Sequence, residues 1–120
     1  MSKSRYVPQR GDVIELDFDP QTGHAQADRR PALVLSPTEY NRTVGLVVVC
    51  PITREQKGYP WEVVIEPNDF LSGVVLADQM KNLDWRGRHA QCICTAEAAL
   101  LEEVVEKSMA LLGPEDENEA

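Results

Sequence analysis

The chain has few aromatics, few cysteines, few histidines and no long apolar run. Aromatic residues make up 6% of its 120 residues, and histidine occurs twice, as His24 and His89. The longest apolar run, Leu46–Cys50, is far too short to cross a bilayer, so no membrane association is expected. Lys3, Arg5 and Arg10 make the start basic, but no apolar stretch follows them. A secretory signal is therefore not expected, and the protein is expected in the cytoplasm. The three cysteines are Cys50, Cys92 and Cys94. An odd count in a cytoplasmic chain argues against a disulfide framework. Cys92 and Cys94 share one face if they lie on a strand, but His89 is the only further ligand nearby. No metal and no other cofactor are expected, and the thiols are expected to pack as small hydrophobes.

Familiar catalytic signatures are missing too. The chain has no Gly-x-Gly-x-x-Gly, Walker loop, His-Glu-x-x-His or Gly-x-Ser-x-Gly. Cations are outnumbered, 12 to 20, for a net charge of −8. Phosphate neutralisation drives non-specific nucleic-acid binding, so such binding should be weak. Four of the acidic residues, Glu115, Asp116, Glu117 and Glu119, fall in Pro114–Ala120; without them the balance is −4. That composition predicts a single domain over residues 1–113 and an acidic disordered tail over 114–120. The arginines cluster at Arg29–Arg30 and Arg86–Arg88, which leaves room for a local basic cleft.

What is present is a series of short β signals. Val13–Phe18 alternates imperfectly and is stopped by Asp19-Pro20. Ala32–Leu35 is continuous and apolar, as for a strand buried on both faces. Thr38–Thr43 reads as one short helical turn. Leu46–Cys50 is rich in valine, and Pro51 is expected to end it. Trp61–Ile65, Gly73–Ala77, part of Met80–Trp85 and part of Arg86–Cys94 complete the set. Five to seven short strands predict a mainly β fold, a small barrel. From Thr95 the period becomes helical. Leu101, Val104, Val105, Ser108 and Leu112 form one stripe of a helix over about Ala96–Leu112, capped by Thr95 and stopped by Gly113-Pro114. Trp61 and Trp85 read as packing residues.

The polar stretch Gly23–Pro31 reads as a loop between two strands. Arg29 and Arg30 offer rigid donor forks suited to phosphate, and His24 can carry a proton near neutral pH. A solvated hairpin loop is the plainer alternative. Arg30 precedes a buried strand, Thr53 follows one, and Gln79 follows another. Strand ends converge in a small barrel, and an arginine with a hydroxyl suits a phosphodiester. With RNA as substrate, its own 2′-hydroxyl can be the nucleophile, and no metal-generated hydroxide is needed.

Four pieces, in this order, give the chain a family likeness. They are Arg5-Tyr6-Val7-Pro8 with Gly11-Asp12; Asp17-Phe18-Asp19-Pro20 through Arg30-Pro31-Ala32-Leu33-Val34-Leu35-Ser36-Pro37; Lys57-Gly58-Tyr59-Pro60-Trp61-Glu62-Val63; and Gly73-Val74-Val75-Leu76-Ala77-Asp78-Gln79 with Trp85-Arg86. With the closing helix they cover nearly the whole domain. The chain resembles the MazF toxins, the endoribonucleases of toxin–antitoxin systems. That resemblance implies a partly open SH3-like β-barrel with a C-terminal helix packed on it, working as a homodimer. It implies metal-independent cleavage of single-stranded RNA at short sequences, leaving a 2′,3′-cyclic phosphate and a 5′-hydroxyl. Arg30 and Thr53 match the catalytic arginine and threonine, with His24 as a possible base. Gln26, Arg29, Ser36, Gln79 and Arg86 are the candidate RNA-binding residues. The implied partner is an antitoxin whose acidic C-terminal segment covers the RNA groove.

The chain departs from the family at Ala25, where many relatives carry a glutamate, and at Asp28, where small residues are common. Asp28 is placed to pair with Arg29 or Arg30. Two other readings stand beside the nuclease. One is a catalytically weakened member that binds antitoxin. The other is an inhibitor on the same barrel, like the gyrase-poisoning toxins of similar fold.

Overall fold

A computed structural model describes residues 6–19 and 28–115. His24, Ala25 and Gln26, and the tail from Asp116 on, lie outside the described residues. Seven strands and two helices follow in the order β1 (Asp12–Asp19), β2 (Asp28–Val34), α1 (Thr38–Val44), β3 (Leu46–Thr53), β4 (Glu62–Val64), β5 (Val74–Leu76), β6 (Lys81–Asp84), β7 (Gln91–Thr95) and α2 (Ala98–Leu112). The strands form one antiparallel sheet in the order β4-β5-β3-β2-β1-β7, with β6 on the first half of β3. The curled sheet is not closed, so the SH3-like barrel is an open one. No helix among the described residues is long and apolar enough to cross a membrane.

Strand alternation builds the core on both faces of the central strands. Val13, Leu33, Cys50 and Ile52 point to one side, where α2 covers them with Leu100, Leu101, Val104 and Val105. Ile14, Leu16, Ala32, Val34, Val47 and Val49 point to the other, where Leu83, Trp85, Tyr6 and Val7 close over them. Ala32, Leu33 and Val34 are all fully buried, as their unbroken apolar run predicts. Each such valine or leucine contributes about 1.5–3 kcal/mol by leaving water. Cys50 is buried beneath α2, with Ser108 Oγ 3.9 Å from its sulfur, and Ser108 donates to the Ala77 carbonyl at 3.0 Å. Burial pushes the Cys50 thiol up to about 11.

Five expectations are corrected. First, Asp28–Pro31 are already strand, so Arg29 and Arg30 sit on β2 rather than in a loop. Second, β3 does not stop at Pro51 but runs to Thr53. Its neighbour on one side is β6 up to Val49 and β5 from Ile52, so Pro51 falls in the gap between partners, where a missing N–H is tolerated. Third, Thr95 ends β7 instead of capping α2. The cap is Glu97, which makes no side-chain cap bond. Fourth, the helical stripe stops short: Leu112 is 73% exposed. Fifth, Cys92 is exposed rather than packed, because β7 is an edge strand.

Candidate active site

β2 and β3 pair through Ala32↔Pro51, Leu33↔Cys50 and Val34↔Val49. Past Ala32 and Pro51 that ladder ends, and Arg30 and Thr53, two residues further along, line the same grooves. Sequence reasoning expects these strand ends to converge, and the grooves bring them together. Two adjoining grooves share both residues. The larger, of about 570 Å³, is also walled by Glu15, Pro31, Arg54, Glu55 and Phe70. That volume lies within the roughly 300–1,000 Å³ usual for small-molecule sites. The smaller groove adds Lys57, Tyr59, Glu62 and Gln79.

Each groove residue is set by local bonds. The Glu55 amide donates to Thr53 Oγ1 at 3.2 Å, which leaves the hydroxyl proton available to a ligand. Gly73, at φ +110°, presses on the Thr53 backbone; a Cβ there would lie 2.2 Å from the Thr53 carbonyl oxygen. Glu62 accepts from the Gly58 and Lys57 amides at 2.8 and 3.0 Å and so shapes the far rim. Tyr59 donates to Asp78 at 2.9 Å, and that bond holds the phenol above its ordinary pKa range. Arg30 is half-exposed. Its Nε and Nη2 both lie 3.0 Å from Asp28 Oδ2. Asp28 thus pairs with Arg30, one of the two arginines within its reach.

Three expected RNA contacts stand elsewhere. Alternation turns Arg29 to the opposite face from Arg30, where it donates to Asp17 at 2.9 Å and to the carbonyls of Glu15 and His89 at 3.0 and 2.9 Å. Asp17 also lies 3.1 Å from His89 Nδ1. These His89 and Arg29 bonds hold its carboxyl below the usual carboxylate range. Ser36 is buried. It donates to Asn41 at 2.6 Å and accepts from the Val48 amide at 2.8 Å. Arg86 stacks on Trp85, 4.7 Å from the ring centroid, in the turn between β6 and β7, and lines neither groove. Trp85 itself packs, with its indole N–H on the Asn41 carbonyl. Phe70 is the residue sequence reasoning missed. It is 69% exposed on the wall of the larger groove, and the only hint is an aromatic directly after the turn Pro67-Asn68-Asp69.

A family model for PemK-like, MazF-like toxins of type II toxin–antitoxin systems matches residues 9–112, from just before β1 to the end of α2. The chain belongs to this family. The MazF-like chain is 52% identical over 87 residues to the endoribonuclease toxin MazF of Escherichia coli K12, covering 72% of this chain and 78% of the relative. It is 34% identical over 110 residues to the E. coli endoribonuclease toxin ChpB, covering 87% and 93% of the two chains. The MazE–MazF crystal structure (Form-II) from Deinococcus radiodurans superposes with a TM-score of 0.85 at 50% identity, over 92% of this chain and all of that one. The MazF-like fold thus carries the groove of Arg30 and Thr53 within the matched span.

Proposed function

We propose that this MazF-like toxin is a sequence-specific endoribonuclease that cuts single-stranded RNA in the cytoplasm and so stops translation and growth. The relatives named as endoribonucleases support that activity. The observation that carries it is that Arg30 and Thr53 both line each of two adjoining grooves. The substrate supplies the nucleophile. A ribose 2′-oxygen attacks the adjacent phosphorus, and the P–O5′ bond breaks to leave a 2′,3′-cyclic phosphate and a 5′-hydroxyl. Arg30 offsets the negative charge gathering on the non-bridging oxygens, and the Thr53 hydroxyl holds the phosphate in line. No metal hydroxide is required by this route.

The strand of RNA follows the two grooves past the reacting phosphate. Phe70 offers a face on which an unpaired base stacks, and Gln79 offers an amide to a base edge. Arg30, Arg54 and Lys57 supply positive charge, opposed by Glu15, Glu55 and Glu62, so affinity rests on shape and stacking as much as on phosphate. The working unit is a homodimer. The partner is an antitoxin with an acidic C-terminal segment, supported by the solved MazE–MazF complexes of similar chains. An acidic peptide suits the same cationic track as RNA.

The test is incubation of a long single-stranded RNA with the protein in EDTA, followed by mapping of the ends. Cuts at one short motif with 5′-hydroxyl ends, lost in Arg30→Ala, are expected. An intact RNA overturns the reading.

A further inference from the structure

We propose that Asp28 is the base that takes the 2′-hydroxyl proton, an assignment that rests on the endoribonuclease reading above. The reaction needs a proton acceptor beside the phosphate; His24, the base the sequence suggests, lies outside the described residues. Arg30 cannot serve, because a guanidinium does not give up its proton in proteins. Thr53 is a neutral hydroxyl already accepting from the Glu55 amide. Asp28 reaches the grooves through Arg30, which lines both; the carboxylates that line them directly, and Asp78 beside Tyr59, have other work. Glu62 accepts three contacts from the Lys57 and Gly58 amides. Glu15 lies 3.6 Å from Arg29, and Asp78 accepts from Tyr59. Glu55 lines both grooves, but among the described residues its carboxylate has no partner to aim it.

Asp28 is aimed. It stands two residues before Arg30 on β2, and its ion pair with Arg30 puts both side chains on one side of the strand. Both contacts of the ion pair, each 3.0 Å, converge on Oδ2. The pair therefore uses the inner Nε–Nη2 edge of the guanidinium and one oxygen of the carboxylate. The outer edge, Nη1 with the second Nη2 hydrogen, makes no hydrogen bond to the described residues, and a planar fork of that kind binds two phosphate oxygens. A phosphate on the outer edge then lies beside the Asp28 carboxylate, with one guanidinium orienting both. As the 2′-O–P bond forms, the 2′ proton passes to Asp28 and on to water. As the P–O5′ bond breaks, the 5′-oxygen takes a proton from water.

The experiment measures cleavage of a short RNA carrying one cut site, from pH 4 to 9, with end analysis. Asp28→Asn keeps an oxygen for Arg30 but accepts no proton. It is expected to lower kcat about 100-fold, a typical loss for a general base, with KM nearly unchanged. It is also expected to erase the acid limb of the kcat/KM profile, while Asp28→Glu restores part of the rate. A natural or faster rate in Asp28→Asn overturns the proposal and marks the pair as a restraint on Arg30. So does an acid limb that survives in Asp28→Asn, or one that disappears in Glu55→Gln instead. Failure of the natural chain to cut at all refutes the nuclease reading itself, and is told apart by that control.

Discussion

Arg29 and Arg30 are neighbours on one strand and do different work. Arg29 turns toward β1, where Asp17 and two backbone carbonyls take its donors. Arg30 turns to the groove, where one carboxylate oxygen takes the inner edge of the guanidinium. A guanidinium surrounded by protein acceptors fastens strands. One with an open edge on a groove is ready for a ligand. The side of the sheet decides which, and that side changes at every residue.

The comparison is broken most sharply by removing each arginine in turn. Arg30→Ala should cost about 10²–10³ in kcat, the scale of losing one preorganised donor, with the thermal midpoint nearly unchanged. Single-turnover cleavage and a melting curve on the same sample check both halves. Gly73→Ala comes next, because its Cβ meets the Thr53 carbonyl and its φ of +110° suits only glycine. A loss of roughly 1–3 kcal/mol in stability is expected, together with slower cleavage as Thr53 shifts. Denaturant titration and RNA end mapping measure them. Arg29→Ala should do the reverse of Arg30→Ala. It should lose roughly 1–2 kcal/mol of stability, as the acceptors of Arg29 lose their partner, while folded molecules keep their cleavage rate.

Phe70→Ala tests the groove side alone. About tenfold weaker binding of single-stranded RNA is expected, within the range for one stacked base, without a change in melting temperature. The smallest effect concerns acid. The Asp17 carboxyl is held low in the folded chain, first by His89 and then by Arg29. The folded state therefore binds a proton less readily than the unfolded chain. The resulting stability is fully present above the unfolded value of about 4 and is lost as pH falls through the lower folded value. Urea midpoints between pH 7 and 2.5 should show that loss in the natural chain and less of it in Asp17→Asn.

Much of this was legible without coordinates, for particular reasons. The valines of Leu46–Cys50 and the run Ala32–Leu35 declare central strands, since only such strands bury both faces. Arg30 and Thr53 are visible as polar residues flanking those strands. Their shared place on two grooves is not, because it depends on how β2 and β3 pair, a tertiary fact. The split between Arg29 and Arg30 was hidden for the same reason, since a loop carries no alternation. Ser36 beside Pro37 looks like a surface break. It is buried because Asn41, from the next helix, folds back onto it and onto the Pro8 carbonyl. Pro51 reads as a stop, and only the change of partner from β6 to β5 lets the strand pass through it.

The cysteine under α2 has a use in kinetics. Cys50 is shielded and its thiol is held protonated at neutral pH, whereas Cys92 stands in the open. A thiol reagent added to the folded protein therefore modifies Cys92 at once, and reaches Cys50 only in the moments when the helix lifts from the sheet. The slowest phase, after Cys92 and the half-buried Cys94 have reacted, is a clock for that opening, present in the natural chain and readable without any substitution.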